Sequence, residues 1–387
     1  MKIRKGSFRL SNGVYFKSGY TIVGKKEEDG NFSGNFDLVL KNDLWGEKSY
    51  EKAECKMHRE AISGAIAKAN LTRDDVDIML AGDLLNELSA SSLAARNFPT
   101  SFLGLYNACS TFGECVLVGS MLIDGGFADI VTCSTSSHFS SAERQYRYPL
   151  ELGNQRTPTA QWTVTGAGAC VLSKKKPNFE DNLVKSDQVI EDMNEKDRKF
   201  ILDTAVARVK YEKNHVAKVV EGTIGRVVDL GIDDESNMGA AMAPAAADTI
   251  IRHLGDFDRK IDYYDAIFTG DLGRYGKELL EYILSKEGID LSDTYMDTGA
   301  SYFKPEQQTF QGGSGAGCIS TVFNGYILST LENGALKRIL VVPTGALLNK
   351  DTPLQKETIP GIAHAFVVET EKIKEKYSKK QQNIELK

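Results

Sequence analysis

Cys109 is the residue of this chain whose position best suits nucleophilic chemistry. It lies in residues 107–113 (NACSTFG), after an apolar run at 102–106 and before a segment with the apolar spacing of a helix. A thiol at such a strand-to-helix turn is near the positive end of the helix dipole, which lowers its pKa. This spacing leaves two interpretations open, a catalytic nucleophile and a small side chain packed in a tight turn.

A glycine-rich turn at 311–318 (QGGSGAGC) is the second feature that could take part in chemistry. Its glycines let the backbone approach a ligand closely, and the N–H groups of the turn and of the following helix can hold a carboxylate or a phosphate. The lysine and the hydroxyl residue of a nucleotide-binding P-loop are absent. A role in tight packing fits the same glycines equally well.

The two features occupy equivalent places in two halves of the chain. Residues 76–84 (VDIMLAGDL) and 264–272 (YDAIFTGDL) are apolar runs that end in Gly-Asp-Leu, and each follows an alanine-rich stretch with helical spacing. A small-residue turn, a helical segment and a second apolar run follow each of them. This alternation predicts an α/β protein with parallel strands covered on both faces. We predict two pseudo-symmetric halves, residues 1–174 and 217–387, joined by a polar connector at 175–216; chance similarity of two short motifs is the alternative.

The composition restricts the classes of function. Lys and Arg number 47 against 53 Asp and Glu, a net charge of −6, which argues against a nucleic-acid-binding surface. No apolar run is long enough to span a membrane, and the basic residues 1–9 are not followed by the apolar segment of a signal peptide. The six cysteines show neither a CxxC pair nor metal-ligand spacing, so we expect mostly buried, reduced thiols and no metal of the protein's own. We expect a protein that stays on the cytoplasmic side of a membrane.

Six segments together resemble a known superfamily. They are 76–84, 106–113 (YNACSTFG), 135–139 (TSSHF), 161–170 (QWTVTGAGAC), 220–228 (VEGTIGRVV) and 308–317 (QTFQGGSGAG). With them the chain resembles the thiolase and ketoacyl-synthase superfamily and, within it, a family of stage V sporulation proteins of endospore-forming bacteria. The resemblance implies a thiolase-like fold of five layers, αβαβα, usually built as a dimer. It also implies that Cys109 occupies the position of the acyl-accepting cysteine.

The resemblance also indicates which catalytic groups are missing. Condensing enzymes of this superfamily place a histidine after a second-half strand and an asparagine in the second-half turn, and alignment puts Gly270 and Gly313 at those positions. Removing one such stabilising donor costs roughly 10²–10³ in rate. We therefore expect a pocket kept for binding rather than for acyl transfer.

Each remaining polar residue of the expected pocket has more than one possible role. His138 follows the strand at 129–135 in a serine-rich loop and could face a ligand, whereas we place His58 on a surface helix and give His364 a structural role. Asp83 and Asp271 either cap helices, which suits Asp271 better, or Asp83 lines the pocket. The predicted site consists of Cys109, His138, Asp83, Thr269, Gly270, Gly313 and Ser314.

The sporulation family implies a particular ligand, pyridine-2,6-dicarboxylate (dipicolinic acid). We predict a non-catalytic protein without a cofactor that binds dipicolinic acid or its calcium chelate during uptake into the developing spore. It would work as a homodimer with channel-forming stage V sporulation A proteins, attached peripherally to the spore inner membrane. Two alternatives stay open: an acyltransferase that uses Cys109 with an atypical base such as His138, and a structural dimer whose pocket is vestigial.

Overall fold

The molecule is built around one long mixed β-sheet. The structure, a computed structural model, describes residues 1–146, 156–177, 205–207, 213–291 and 294–373. Its strands are β1 (Lys2–Arg4), β2 (Ser7–Val23), β3 (Leu38–Leu40), β4 (Ile78–Gly82), β5 (Ser101–Gly104), β6 (Ile130–Ser137), β7 (Trp162–Thr163), β8 (Gly166–Ser173), β9 (Ala205–Ala207), β10 (His215–Thr223), β11 (Ala266–Thr269), β12 (Tyr295–Asp297), β13 (Gly313–Ser314), β14 (Arg338–Val342), β15 (Thr344–Ala346), β16 (Gly361–Ala363) and β17 (Ala365–Lys372).

The helices fill the faces of this sheet. They are α1 (Lys25–Glu28), α2 (Tyr50–Lys68), α3 (Ser89–Ala95), α4 (Thr111–Asp124), α5 (Phe139–Tyr146), α6 (Met238–Phe257), α7 (Gly273–Lys286), α8 (Thr298–Tyr302), α9 (Ala316–Val322), α10 (Leu328–Glu332) and α11 (Asp351–Gln355). A π-helical turn, Phe323–Ile327, joins α9 to α10.

Two sets of five strands repeat the same arrangement. The first has the order β2-β8-β6-β4-β5 and the second β10-β17-β14-β11-β12. In each set the first three strands pair antiparallel and the last two pairings are parallel. Antiparallel pairing of β2 with β10 joins the sets. This confirms the predicted pseudo-symmetric α/β fold.

The helices complete five layers. Helix α2 packs on the outer face of the first set of strands, and α6 and α7 cover the second set. Between the sets lie α4 and the run from α9 to α10, in a core that draws residues from both halves. Helix α4 is therefore buried on most of its surface, including Phe112, Cys115 and Val116. The resulting order, αβαβα, is the predicted one.

On helix α2, the prediction for the exposure of His58 is wrong. We expected His58 on a solvent-facing side, but it is fully buried because α2 lies against β8, β2 and β6. Its ring is hydrogen-bonded to two hydroxyls, Nε2 to Ser134 Oγ at 2.8 Å and Nδ1 to Ser136 Oγ at 3.0 Å. Burial lowers the pKa of this imidazole to about 4.

The remaining predictions about the fold concern the connector, the C-terminal tail, the buried cysteines and membrane-spanning helices. The polar connector at 175–216 and the charged tail at 371–387 lie mostly outside the described residues, although Glu371 and Lys372 belong to β17. Cys115, Cys133 and Cys170 are buried, as expected. Within the described ranges, no helix has the length and apolar character needed to cross a bilayer.

Candidate functional site

A cavity with an empty volume of about 450 Å³ opens beside Cys109. Residues of both halves form its wall: Leu84, Tyr106, Ala108, Cys109, Ala142, Glu143, Tyr146, Thr163, Met238, Ser314, Gly315, Ala346 and Leu348. Its wall is largely apolar and aromatic, as in many small-molecule sites. The cavity is therefore the natural place to test each predicted site residue.

The turn before α4 places Cys109 on the cavity wall. Thr111 Oγ1 accepts the Asn107 N–H at 2.9 Å and donates to the Ala108 carbonyl at 2.6 Å, which closes the turn. Ala108 has a φ of +50°, a left-handed conformation that is costly for a residue with a Cβ. Cys109 is only 5% exposed and lies two residues ahead of the first residue of α4. The predicted strand-to-helix position of this thiol is confirmed.

The glycine-rich turn reaches the same cavity through Ser314 and Gly315. Strand β13 is held parallel to β7, with the Val164 N–H donating to the Ser314 carbonyl at 2.8 Å. Gly315 begins α9 with a φ of +109°, and a Cβ there would lie 2.6 Å from Ser137 Oγ. Ser137 Oγ also accepts the Gly317 N–H at 3.0 Å. That amide is therefore used by the protein itself and does not hold an anion as the turn's sequence suggested.

The other predicted residues of the second half do not line the cavity. A Cβ at Gly313 would meet Tyr302 Cβ at 3.1 Å, and one at Gly270 would meet Ile319 Cβ at 2.9 Å. Thr269 donates from Oγ1 to Asp297 Oδ1 at 2.7 Å. All three positions face packed interior, so of the second-half predictions only Ser314 reaches the site.

His138 also points away from the cavity. Its Nε2 donates to the Asp43 carbonyl at 2.9 Å and its Nδ1 accepts the Ser140 N–H at 3.1 Å, while its ring packs 5.1 Å from that of Tyr50. Burial lowers the pKa of the imidazole. Both ring nitrogens are thus committed to the backbone, and the structure does not bring His138 to Cys109.

Asp83 caps a turn and does not line the pocket. Its carboxylate accepts the Leu85 N–H at 2.8 Å, the Ser91 N–H at 2.7 Å and the Ser91 hydroxyl. These bonds satisfy the backbone at the start of α3. Asp271, for which capping is the favoured prediction, forms no hydrogen bond of ordinary geometry among the described residues. Burial and the charge of Asp297 raise its pKa well above the usual range, against the lowering effect of the nearby Cys318 thiol and Gly315 N–H.

The remaining histidines are engaged elsewhere. His253 bonds Thr223 Oγ1 at 2.8 Å and the Tyr264 hydroxyl at 2.9 Å, and His364 Nδ1 accepts the Gly225 N–H at 3.1 Å. His215 lies at the start of β10 and bonds Asn214. All five histidines of the sequence fall within the described ranges, and none of them lines the cavity.

Two tyrosines are the main site residues that the sequence analysis missed. Tyr106 is 41% exposed at the mouth of the cavity, and the Tyr146 hydroxyl donates to the Leu84 carbonyl. Burial raises the pKa of both phenols, which also interact with each other. Tyr106 lies three residues before Cys109, so the turn itself was a signal for it. Tyr146 ends α5, and no spacing pattern in the sequence connects it to Cys109.

The five-layer fold, with a cysteine before its central helix, defines a thiolase-like protein. Among solved structures, the tetronic acid condensing enzyme AbyA1 has a TM-score of 0.53 and 13% sequence identity, covering 92% of this chain and 99% of that enzyme. Human mitochondrial 3-ketoacyl-CoA thiolase, solved with CoA, also has a TM-score of 0.53, with 12% identity over 95% of this chain and 100% of the thiolase. At this identity the likeness concerns the fold alone.

Sequence comparison gives the family. The model of the family described as stage V sporulation protein AD (SpoVAD) matches residues 4–208 and 195–369. Stage V sporulation protein AD of Bacillus subtilis (strain 168) is 39% identical over 365 residues, covering 94% of this chain and 97% of that protein. The chain belongs to the stage V sporulation protein AD family, and its role is in sporulation.

Proposed function

We propose that this protein is a non-catalytic receptor for dipicolinic acid, which it binds in the cavity beside Cys109 during uptake into the spore. One observation carries the proposal: the cavity keeps the cysteine of a thiolase-like site, but every histidine of the chain is placed elsewhere. A thiol without an imidazole base beside it is poorly activated. The cavity remains a site for binding.

The cavity wall suits a small, flat aromatic ring. Tyr106 and Tyr146 offer phenol faces, and Leu84, Met238 and Leu348 supply apolar area. Aromatic rings favour such surroundings, and a few polar groups then fix the orientation. Ser314 and Thr163 are the hydroxyl residues of the wall.

The charge of the wall favours the calcium chelate over the free dianion. Of the described residues that line the cavity, none is a lysine or an arginine. A dianion moved from water into such a site would lose hydration without a compensating cation. Calcium bound by the ligand's own carboxylates supplies that compensation, since Ca²⁺ prefers oxygen ligands. Calcium therefore enters as cargo with the ligand.

Calorimetry tests the proposal directly. We expect heat of binding with pyridine-2,6-dicarboxylate, stronger when calcium is present, and none with the 3,5-isomer, whose carboxylates cannot chelate one ion with the ring nitrogen. Ala142→Leu fills the cavity and should lower the affinity at least about tenfold, whereas Ala335→Leu, at an exposed position, should not. Equal affinity for both isomers, or for both variants, contradicts the proposal.

A second function, acyl transfer, is favoured by the position of Cys109 itself. Its thiol lies on the cavity wall just before the N-terminus of α4, where a thiolate is stabilised. Incubation with radiolabelled acyl-CoA, followed by acid quench and peptide mapping, separates the two functions. We expect no label on Cys109, with Cys109→Ala as the background control; stoichiometric labelling of Cys109 would establish the enzyme instead.

We also propose a homodimer attached peripherally at the spore inner membrane, where it hands the ligand to channel proteins of the stage V sporulation A group. The dimer is supported by β5, the last strand of the sheet order, which carries Leu103 at 48% exposure. An open strand edge with an exposed apolar side chain favours pairing with another strand. Pairing there would bring the second copy close to Tyr106 and the mouth of the cavity.

A further inference from the structure

Three aliphatic side chains project into solvent from two segments of the second half that are hydrogen-bonded to each other or lead into that contact. Val227 is 58% exposed, Leu230 is 68% exposed and Leu354 is 80% exposed. We call these three residues the aliphatic patch. Single exposed apolar residues are ordinary on protein surfaces, but a group of them marks an interaction site.

Hydrogen bonds hold the two segments of the patch together. Val228 and Gly361 exchange two backbone bonds, at 2.9 and 2.7 Å, and the Ile359 N–H donates to the Ile232 carbonyl at 2.7 Å. The Thr358 hydroxyl donates to Asp229 Oδ2 at 2.5 Å. These bonds fasten the segment that carries Val227 and Leu230 to the segment that follows Leu354.

The same segments show that the exposure is not a consequence of poor packing. Val228 and Ile232 pack against the core of the second half, while their neighbours Val227 and Leu230 face outward. Asp229 Oδ1 also accepts the Gly231 N–H at 2.9 Å, which fixes the turn between them. The chain therefore presents Val227 and Leu230 on a fixed backbone, so this protein would lose little backbone entropy when a partner binds there.

The two segments of the patch continue along the chain into residues of the cavity wall. Its first segment runs into Met238, at the start of α6, and its second segment follows Leu348; both residues line the cavity wall. The Leu347 N–H donates to the Pro360 carbonyl at 2.8 Å, which ties the second segment back onto itself. Along the chain, Leu230 is eight residues from Met238 and Leu354 is six residues from Leu348, so a partner on the patch contacts the two segments that lead to the wall of the ligand site.

The surroundings of the patch are acidic. Residues 226–235 and 350–357 carry six carboxylates and three cations, and one of the cations, Arg226, lies 3.8 Å from Asp248 of α6. Within the described part of the chain, no lysine or arginine is within ion-pair distance of Asp233, Glu235 or Glu357. An anionic lipid surface would be repelled by this rim, whereas a basic protein segment would be attracted.

We propose that the aliphatic patch docks a basic cytoplasmic loop of an integral membrane protein, in which aliphatic side chains are flanked by lysines or arginines. Such loops carry an excess of Lys and Arg. The aliphatic and basic character of the docking segment rests on the surface alone, while the choice of a membrane protein rests on the proposed role in ligand uptake. Docking at this place puts the partner on the two segments that lead to Met238 and Leu348 of the cavity wall.

Photocrosslinking in sporulating cells tests the proposal. The residue p-benzoylphenylalanine replaces Leu230 in one strain and, as a control, Phe127, which is 78% exposed between α4 and β6, in another. We expect the Leu230 probe to crosslink to a Lys- and Arg-rich loop of an integral membrane protein, identified by peptide mapping, at a yield at least about tenfold above that of the Phe127 probe. Leu354→Asp in the same strain should lower the yield about tenfold, because it removes an aliphatic side chain that docking would bury.

Three outcomes overturn the proposal: crosslinks to a second copy of this chain, crosslinks to a protein without a membrane span, and a yield no higher than that of the control probe. A fourth is binding of the purified protein to vesicles of phosphatidylglycerol and phosphatidylcholine that Leu230→Asp abolishes, which would assign the patch to lipid. Calorimetry keeps the two proposals apart, since Leu230→Asp and Leu354→Asp should bind dipicolinate like the parent. If the crosslink maps to such a loop but calorimetry shows that the parent protein does not bind dipicolinate, the docking proposal is supported and the proposed ligand is contradicted.

Discussion

Asp83 and Asp271 occupy the same place in the two repeats, yet their carboxyl groups have opposite environments. Asp83 accepts three hydrogen bonds at the turn before α3, while Asp271, with a φ of +71°, is buried without such partners among the described residues. The helix that each precedes explains the difference, because at the start of α7 a different residue, Asp297, accepts the Leu272 and Gly273 N–H groups. The repeat thus preserved the residue type but not its role.

Burial gives two other carboxyl groups of the first half a measurable effect on stability. Burial raises the pKa of Glu27 and of Glu54 to about 8, with the charge of Asp83 adding to the shift at Glu54. Between pH 6.5 and 8 the unfolded chain has released these protons while the folded chain still holds most of them, so the free energy of unfolding falls as pH rises. The buried histidines, with pKa values of about 4 or below, act mainly below pH 6.5, in the opposite direction.

Glu54→Gln should reduce by one the number of protons that the folded chain binds in excess of the unfolded chain. Its neutral amide resembles the protonated carboxyl that Ser136 and Ser141 contact, so the fold should be kept. We expect the fall in unfolding free energy between pH 6.5 and 8 to be shallower by roughly 1 kcal/mol per pH unit, measured by urea denaturation. The exposed Glu278→Gln is the control; an unchanged slope in Glu54→Gln would show that Glu54 is ionised in the folded state.

At the level of single residues, the sequence predicted turns better than side-chain directions. Cys109 and Ser314 reach the cavity as expected because both lie on turns that follow strands, where the backbone itself determines position. His138, Thr269 and Gly313 do not reach it, because the direction of each depends on contacts with distant segments, such as Asp43 and Asp297. No local pattern encodes those contacts.

At the level of elements, the contact between helices α6 and α7 depends on two glycines. Helices α6 and α7 meet where a Cβ at Gly276 would lie 2.9 Å from Gly239 Cα. Neither backbone can yield, so Gly276→Ala should destabilise the protein by about 1–3 kcal/mol. Gly255→Ala, in the same helix α6 but with nothing within 4 Å of its Cβ, should stabilise it by about 0.5–1 kcal/mol.

Thermal and urea unfolding of the two variants check this pair of predictions together. Because both substitutions add the same methyl group to a helix, their difference reports the helix contact rather than helix propensity. Equal effects of Gly255→Ala and Gly276→Ala would mean that α6 and α7 are farther apart than described.

Most of the larger helices and strands could be predicted from the sequence because their pattern occurs twice. Helices α2 and α6 and strands β4, β11, β6 and β14 lie where the duplicated pattern predicted them. Small elements were not predicted. Strands β7 and β13, and strands β15 and β16, form two-stranded sheets, and each of these strands is too short to show a periodic pattern of apolar residues. These are the elements that bring Thr163, Ser314 and Ala346 to the cavity, so the site was harder to predict than the fold.

At the scale of the whole molecule, the proposed dimer makes β5 its central element. Leu103→Glu should convert a dimer into a monomer in size-exclusion chromatography with light scattering, because a buried charge without a partner is costly at an interface. Tyr282→Glu, on the exposed face of α7 at 59% exposure, should leave the mass unchanged. A monomeric parent protein, or a dimer that survives Leu103→Glu, contradicts the proposed interface.

The shared central layer has a consequence for how such a chain could have arisen. Helix α4 contacts β6 and β4 of its own half and also β17 of the other, and β2 runs along β10 for the length of the seam. A polypeptide ending after β8 would leave one flank of α4 and one edge of β2 bare, and would need a sister molecule to cover them. Fusing two such units into one gene makes the contact between them permanent and independent of protein concentration. The loops of each unit on the cavity side can then diverge separately.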